Sequence, residues 1–167
     1  MRIKPLVAAL LHSACGSGNV RNASIPNGIK ADRIIVDKSD RTLIILAAGK
    51  EVVRYRDIRL GDVPIGHKHF EGDEKTPEGT YTISGRNPKS SYHLSLRISY
   101  PNAADRAYSK SKGKSPGGDI FIHGQPNMSP MQRLPHDWTD GCVAVSNSEI
   151  EQIWKLVPDG AEIEIHP

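Results

Sequence analysis

The sequence predicts a mainly β domain, a β-sandwich or closed β-roll with two short helices. Three observations lead there. Runs of β-branched residues recur along the chain, beginning with Arg33-Ile-Ile-Val36 and Leu43-Ile-Ile-Leu46. Clusters of Gly, Pro, Asn and Asp separate these runs, as turns between strands do. Helix-start chemistry occurs at two places only.

Taken in order, Asp37-Lys-Ser-Asp40 between the first two runs is a hairpin signal. Ala48-Gly49-Lys50 turns the chain into a third, charge-interrupted strand over 51–60. Residues 61–79, rich in Gly and Pro, form a long loop, and such loops in compact domains are usually functional or mobile. Tyr81-Thr-Ile83 is a short strand ended by a turn at Gly85-Arg-Asn-Pro88, and 93–98 alternates as a half-buried strand. Asn102 caps a helix with Asp105 in its first turn, and that helix ends by Gly113. Ser146-Asn-Ser-Glu149 is a capping box for a helix over 148–156 with Ile150, Ile153, Trp154 and Val157 as its apolar stripe. Ala161–Ile165 is a last alternating strand.

At 167 residues the chain is one domain with a leader. A body of about 140–150 residues buries roughly two-thirds of its unfolded surface and needs no staples. The net charge of +3 is spread without a basic block, which argues against nucleic acid as a partner. Arg2 and Lys4 precede the short apolar run Leu6–Leu11, the pattern of an export signal. Ser13-Ala14-Cys15-Gly16-Ser17 resembles a lipoprotein lipobox, with His12 where Leu is usual. The expected organisation is a lipoprotein-like signal peptide over 1–15, a linker over 16–32 and the folded domain over 33–167. The expected location is the periplasm or cell envelope, with Cys15 as a lipid anchor.

Once Cys15 is trimmed or acylated, Cys142 is the remaining thiol, and an unpaired thiol in an oxidising compartment is a liability unless used. The other reading of a free cysteine is a small buried hydrophobe. The setting favours use. His123 ends one apolar run, Gly141-Cys142 opens another, and an irregular loop joins them. A thiol attacks as thiolate, and a nearby imidazole removes its proton. Gly141 permits a tight turn whose N–H groups could converge as an oxyanion hole. His136 is a second candidate base, ranked below His123 because a strand end holds a side chain more rigidly. Trp138 lines the cleft in this reading, and Trp154 belongs to the core. His67, His69, Glu71 and Asp73 alternate as metal ligands on a strand would, but their Gly- and Pro-rich surroundings argue for a solvated loop and no metal.

His123-Gly124, then Thr139-Asp140-Gly141-Cys142, then Asn147 resemble the motif of the YkuD-type L,D-transpeptidases. Gly61, Pro64-Ile-Gly66, Thr76-Pro-Glu-Gly79 and Tyr81 resemble that family's approach to its site, so the likeness spans about residues 33–166. It implies a YkuD-like fold and acyl transfer on peptidoglycan stem peptides through a thioester at Cys142, with no cofactor. In that mechanism His123 is the base, the Gly124 carbonyl orients it, and the Gly141 and Cys142 N–H groups hold the oxyanion. Thr139, Asp140, Trp138, His136, Asn147 and Arg86 are the expected substrate-binding residues. The chain is expected to act as a monomer.

Two departures stand out: Asp140 replaces the family's His, and Ala144 replaces its Arg. Both resemble the branch that includes the murein lipoprotein–peptidoglycan amidase, which implies hydrolysis beside transfer and a peptidoglycan-linked lipoprotein as a partner. A cation from Arg86, Arg97 or Arg133 is then expected to replace the missing Arg near the thiol. The competing class is a non-catalytic module that binds cell-wall peptide.

Overall fold

The computed structural model describes residues 28–167, so the leader and most of the linker lie outside the described residues. Strands β1 (Arg33–Asp37), β2 (Thr42–Ala47) and β3 (Lys50–Arg56) form an antiparallel meander. β4 (Gly79–Ser90) pairs antiparallel with β5 (His93–Ile98), and α1 (Ala103–Ser111) follows. β6 (Phe121–His123), β7 (Val143–Ala144), α2 (Asn147–Leu156) and β8 (Glu162–His166) complete the chain. All strands belong to one mixed sheet of order β3-β2-β1-β8-β4-β5-β6-β7.

The last strand is central. β8 enters parallel to β1, with Ile34 opposite Ile163, and antiparallel to β4, with Tyr81 opposite Ile163. Alternation places Ile34, Val36, Leu43, Ile45, Tyr81, Ile83, Ile163 and Ile165 on one buried face. Helix α2 packs on β5 and β6 through Ile150 and Ile153, both fully buried. Trp154 is only partly buried, and the stripe is completed by Leu156 instead.

The sheet rolls back on itself. The chain leaving β3 pairs through Arg59 with Ala144 of β7, by two backbone bonds of 2.8 Å in opposite directions. Ile58 and Leu60 flank that closure and are fully buried. The expected strand over 51–60 is therefore split. β3 ends at Arg56, Asp57 turns the chain at φ 61°, and the next residues close the roll.

A second difference lies in β4, which runs straight through the expected turn at Gly85–Pro88 to Ser90. The ladder to β5 shifts register after Ile83 and again between Asn87 and Ser90. Pro88, which has no N–H, sits in that second irregularity, where no ladder donor is required.

Both helix starts follow their sequence signals. The Asn102 side-chain oxygen accepts from the N–H of Ala104 (2.8 Å) and Asp105 (3.1 Å), and Asp105 returns a bond to Asn102 N–H. Ser146 and Glu149 make the same reciprocal arrangement for α2, which begins at Asn147.

The loop over 61–78 is tightly bonded. Lys38, 2% exposed, reaches from the end of β1 to the carbonyl of Gly66 (2.8 Å) and the carboxylate of Glu78 (2.6 Å). Asp73 accepts from the N–H groups of His69, Phe70 and Lys75. His67 accepts from Glu78 N–H at Nδ1 and so donates from Nε2 to Asp105 at 3.1 Å. The last bond ties the loop to the start of α1.

Candidate active site

β6 and β7 are parallel neighbours, with Ile122 opposite Val143 and His123 opposite Ala144. That pairing sets His123 and Cys142 on the wall of one cavity of about 800 Å³. Lys68, Glu71, Tyr92, Trp138, Thr139 and Asp140 also line it.

His123 is 3% exposed, and its Nδ1 lies 2.7 Å from the Gly124 carbonyl oxygen. A carbonyl only accepts, so Nδ1 carries the proton and Nε2 keeps a free lone pair. Tyr92 lies against the ring at 4.6 Å, and Trp138 meets it edge-on at 5.5 Å. Burial pushes the imidazole down to about 4, with the Gly124 bond opposing it. The base is neutral at pH 7.

Gly124 is itself held. Its N–H donates to the carbonyl of Tyr92 at 3.0 Å, and a Cβ there would come within 2.5 Å of Asn147 Oδ1. That Asn147 oxygen accepts from Gln125 N–H at 2.8 Å. Asn147 thus clamps the backbone beside His123 and is not among the residues that line the cavity.

The Cys142 sulfur accepts from Phe121 N–H at 3.4 Å and lies 3.6 Å from the Asp119 carbonyl. The bonds formed by Cys142 and His123 do not include one to each other, and the thiol proton is directed at the Asp119 carbonyl. Burial pushes the thiol up to about 11, Phe121 N–H and Lys68 oppose that, and Asp140 and Asp119 add to it. The resting pair is neutral thiol and neutral imidazole.

The turn before Cys142 depends on two residues. Gly141 has φ 126°, and a Cβ on it would stand 2.4 Å from the Lys75 carbonyl oxygen. Thr139, 4% exposed, donates from Oγ1 to the Cys142 carbonyl at 2.8 Å and accepts from Gly141 N–H at 3.2 Å. The Gly141 N–H is therefore already engaged, and it does not stand free as the expected oxyanion donor.

Other residues named from the sequence lie off the cavity wall. Arg86 lies away from the cavity. It donates to the carbonyls of Trp154 (2.8 Å) and Val157, pairs with Asp159 at 2.9 Å, and sits 4.8 Å over the Trp154 ring. These contacts close the end of α2, where orphan carbonyls favour a cation. His136 is exposed and does not line the cavity. Neither Arg97, paired with Asp119 at 2.8 Å, nor Arg133, paired with Glu149, lines it either.

The cation on the wall is Lys68, 2% exposed and held by Asp73 at 2.8 Å and the Phe70 carbonyl at 3.1 Å. Sequence reasoning missed it, and it also missed Tyr92. The signal for Lys68 was its place between His67 and His69, which drew attention to the imidazoles. Those imidazoles point elsewhere. His67 is used at both nitrogens and Asp73 caps the loop, so the four alternating residues do not converge on one point.

A rolled sheet with His on one strand and Cys at the entry of its parallel neighbour defines a class of protein. The model of the L,D-transpeptidase catalytic domain, YkuD, matches residues 31–165, and the chain belongs to that family. It is similar to YafK of Escherichia coli K12, named for L,D-transpeptidase activity, at 32% identity over 95 residues. That match covers 56% of this chain and 32% of YafK. Among solved structures, the helical cell shape determining protein Pgp2 from Campylobacter jejuni superposes with TM-score 0.66 at 30% identity, over 83% of this chain and 48% of that one. Bd1075 of Bdellovibrio bacteriovorus gives 0.57 at 27% identity, over 84% and 49%. The chain thus spans about a third of the curated relative and about half of these solved chains.

Proposed function

We propose that this protein is an exported cysteine acyltransferase of the cell envelope that remodels peptidoglycan stem peptides through a thioester at Cys142. The observation that carries this reading is the tautomer of His123. Nδ1–H is tied to Gly124, so the lone pair of Nε2 is the free basic atom in the cavity that holds the thiol. Family membership supplies the substrate class, and the naming of Pgp2 as a cell shape determining protein supports a cell-wall role.

In the proposed reaction the Cys142 proton passes to His123 Nε2 as the sulfur attacks the carbonyl on the L-centre of meso-diaminopimelate. Transfer is concerted with attack, because both groups are neutral at rest. The oxyanion is met by Cys142 N–H, and Gly141 N–H joins it by leaving its long bond to Thr139. His123 then gives its proton to the departing amine nitrogen, and the thioester remains. An amine acceptor completes a cross-link, whereas water completes hydrolysis.

Hydrolysis of an existing diaminopimelate–amine bond is the second reading, and the cavity wall favours it. Glu71, Glu74 and Asp140 line it with a single Lys68, Asp119 being paired with Arg97, and Ala144 is fully buried with no cation to offer. Such a wall disfavours a leaving group with its own carboxylate, as D-alanine has.

Purified protein given tetrapeptide monomers, muropeptide dimers and lipoprotein-linked muropeptides separates the readings. New 3–3 dimers establish transfer, and lipoprotein release without dimers establishes the amidase. Peptide retention with no bond made or broken, and no adduct at Cys142, leaves a binding module and rejects both. His123→Ala should slow the productive reaction by roughly two to four orders of magnitude, and His136→Ala far less.

A further inference from the structure

Beside the cavity lies a surface that the proposed chemistry does not use. Tyr108 on α1 is 42% exposed, and its ring lies on His69 at 4.4 Å and is stacked with Phe70 at 6.0 Å. Lys112 reaches over Tyr108 at 5.6 Å, and Lys114 over Phe70 at 4.6 Å. Arg106 and Lys110 extend the charge, and all four cations are exposed. No acidic residue occurs from Arg106 to Gly118, and none of the four forms an ion pair among the described residues.

This ridge is continuous with the cavity rim. Phe70 precedes Glu71, whose N–H donates to the Ser115 carbonyl at 3.0 Å, one residue beyond Lys114. Glu71 and Gly117 both line the cavity. An aromatic plate flanked by unpaired lysines at the mouth of an acidic pocket is built for an elongated, anionic ligand. The lysines resting over the rings suit carboxylates, and the exposed part of Tyr108 offers an apolar contact to a sugar ring.

We propose that the ridge formed by His69, Phe70, Tyr108, Lys112 and Lys114 binds the peptidoglycan polymer beyond the reacting bond, packing a glycan sugar against the exposed part of Tyr108 and gripping the carboxylates of a neighbouring stem. This rests on the proposed function above. The ridge holds the polymer while the cavity performs the chemistry.

The test uses the full chain carrying Cys142→Ala, so that nothing is turned over, pelleted with purified sacculi at low and high salt. Adding Lys112→Gln with Lys114→Gln should weaken binding about tenfold at low salt and flatten its salt dependence. Tyr108→Ser should weaken it several-fold with the salt dependence kept. With Cys142 present, the same substitutions should leave reaction with a free stem tetrapeptide unchanged, since that ligand is too short to reach the ridge. Sacculus binding unaltered by both variants overturns the proposal. Vesicles of anionic phospholipid are pelleted in parallel, and a loss confined to them would assign the ridge to a membrane and also overturn the proposal. Failure of the wild type to react with any stem peptide would refute the proposed function alone, because pelleting decides the ridge independently.

Discussion

Acid should destabilise this fold through His123, by an amount that the structure sets. The imidazole is held near 4 by burial, against an ordinary 6.5 in the unfolded chain. Below pH 6.5 the unfolded chain binds a proton that the folded chain refuses, so stability present above 6.5 is lost as pH falls toward 4. Integrating between those values gives a loss of about 2 kcal/mol by pH 5 and about 3 kcal/mol by pH 4. Other groups also titrate in that range, so the measurement is a difference. Urea unfolding of wild type and of His123→Gln, at half-unit steps from pH 7.5 to 4.5, isolates the His123 contribution. The stability gap between the two proteins should shift by about 2 kcal/mol against the wild type between pH 7.5 and 5. A gap that stays constant with pH would refute the buried, neutral imidazole and the base assignment built on it.

Three further outcomes follow from the same geometry. Alkylation of Cys142 by iodoacetamide should rise about tenfold per pH unit from 7 toward 11, because burial keeps the thiol protonated; a plateau near neutrality would mean a resting ion pair with His123. Gly141→Ala should cost about 2–4 kcal/mol in urea unfolding and abolish turnover, since its φ of 126° and the Lys75 carbonyl leave no room for a Cβ. Asn147→Ala should leave Cys142 reactive toward small electrophiles yet lower kcat about tenfold or more, because it frees the Gly124–Gln125 backbone that aims His123; an unchanged kcat would remove it from the positioning set.

The elements that the sequence made legible are those whose signals are local. Runs of β-branched residues marked β1 and β2, alternation marked β5 and β8, and the side chains of Asn102 and Ser146 marked both helix starts. Gly and Pro mark turns only on average, and Gly85–Pro88 reads as a turn because the bulges that accommodate it depend on the partner strand β5. Likewise the closure through Arg59 depends on Ala144, a residue far along the chain. At the site, the motif residues His123 and Cys142 share one cavity wall with Trp138, and the Gly124 carbonyl accepts from the imidazole. Lys68 and Tyr92 arrive from other loops, and no local pattern announces a residue whose role is set by what it faces. Arg86 illustrates the converse: its sequence position suggested the cleft, but the open end of α2 and the Trp154 ring claim its guanidinium.

The central claim is that Cys142 carries the acyl group. Intact mass measurement tests it most directly, with wild type, Cys142→Ala and His123→Ala each incubated with a carbapenem and, separately, with a stem tetrapeptide. Wild type should carry an acyl adduct, mapped by digestion to the peptide containing Cys142, with much slower adduct formation in His123→Ala and none in Cys142→Ala. An adduct that persists in Cys142→Ala, or turnover of the tetrapeptide by that variant, would contradict it.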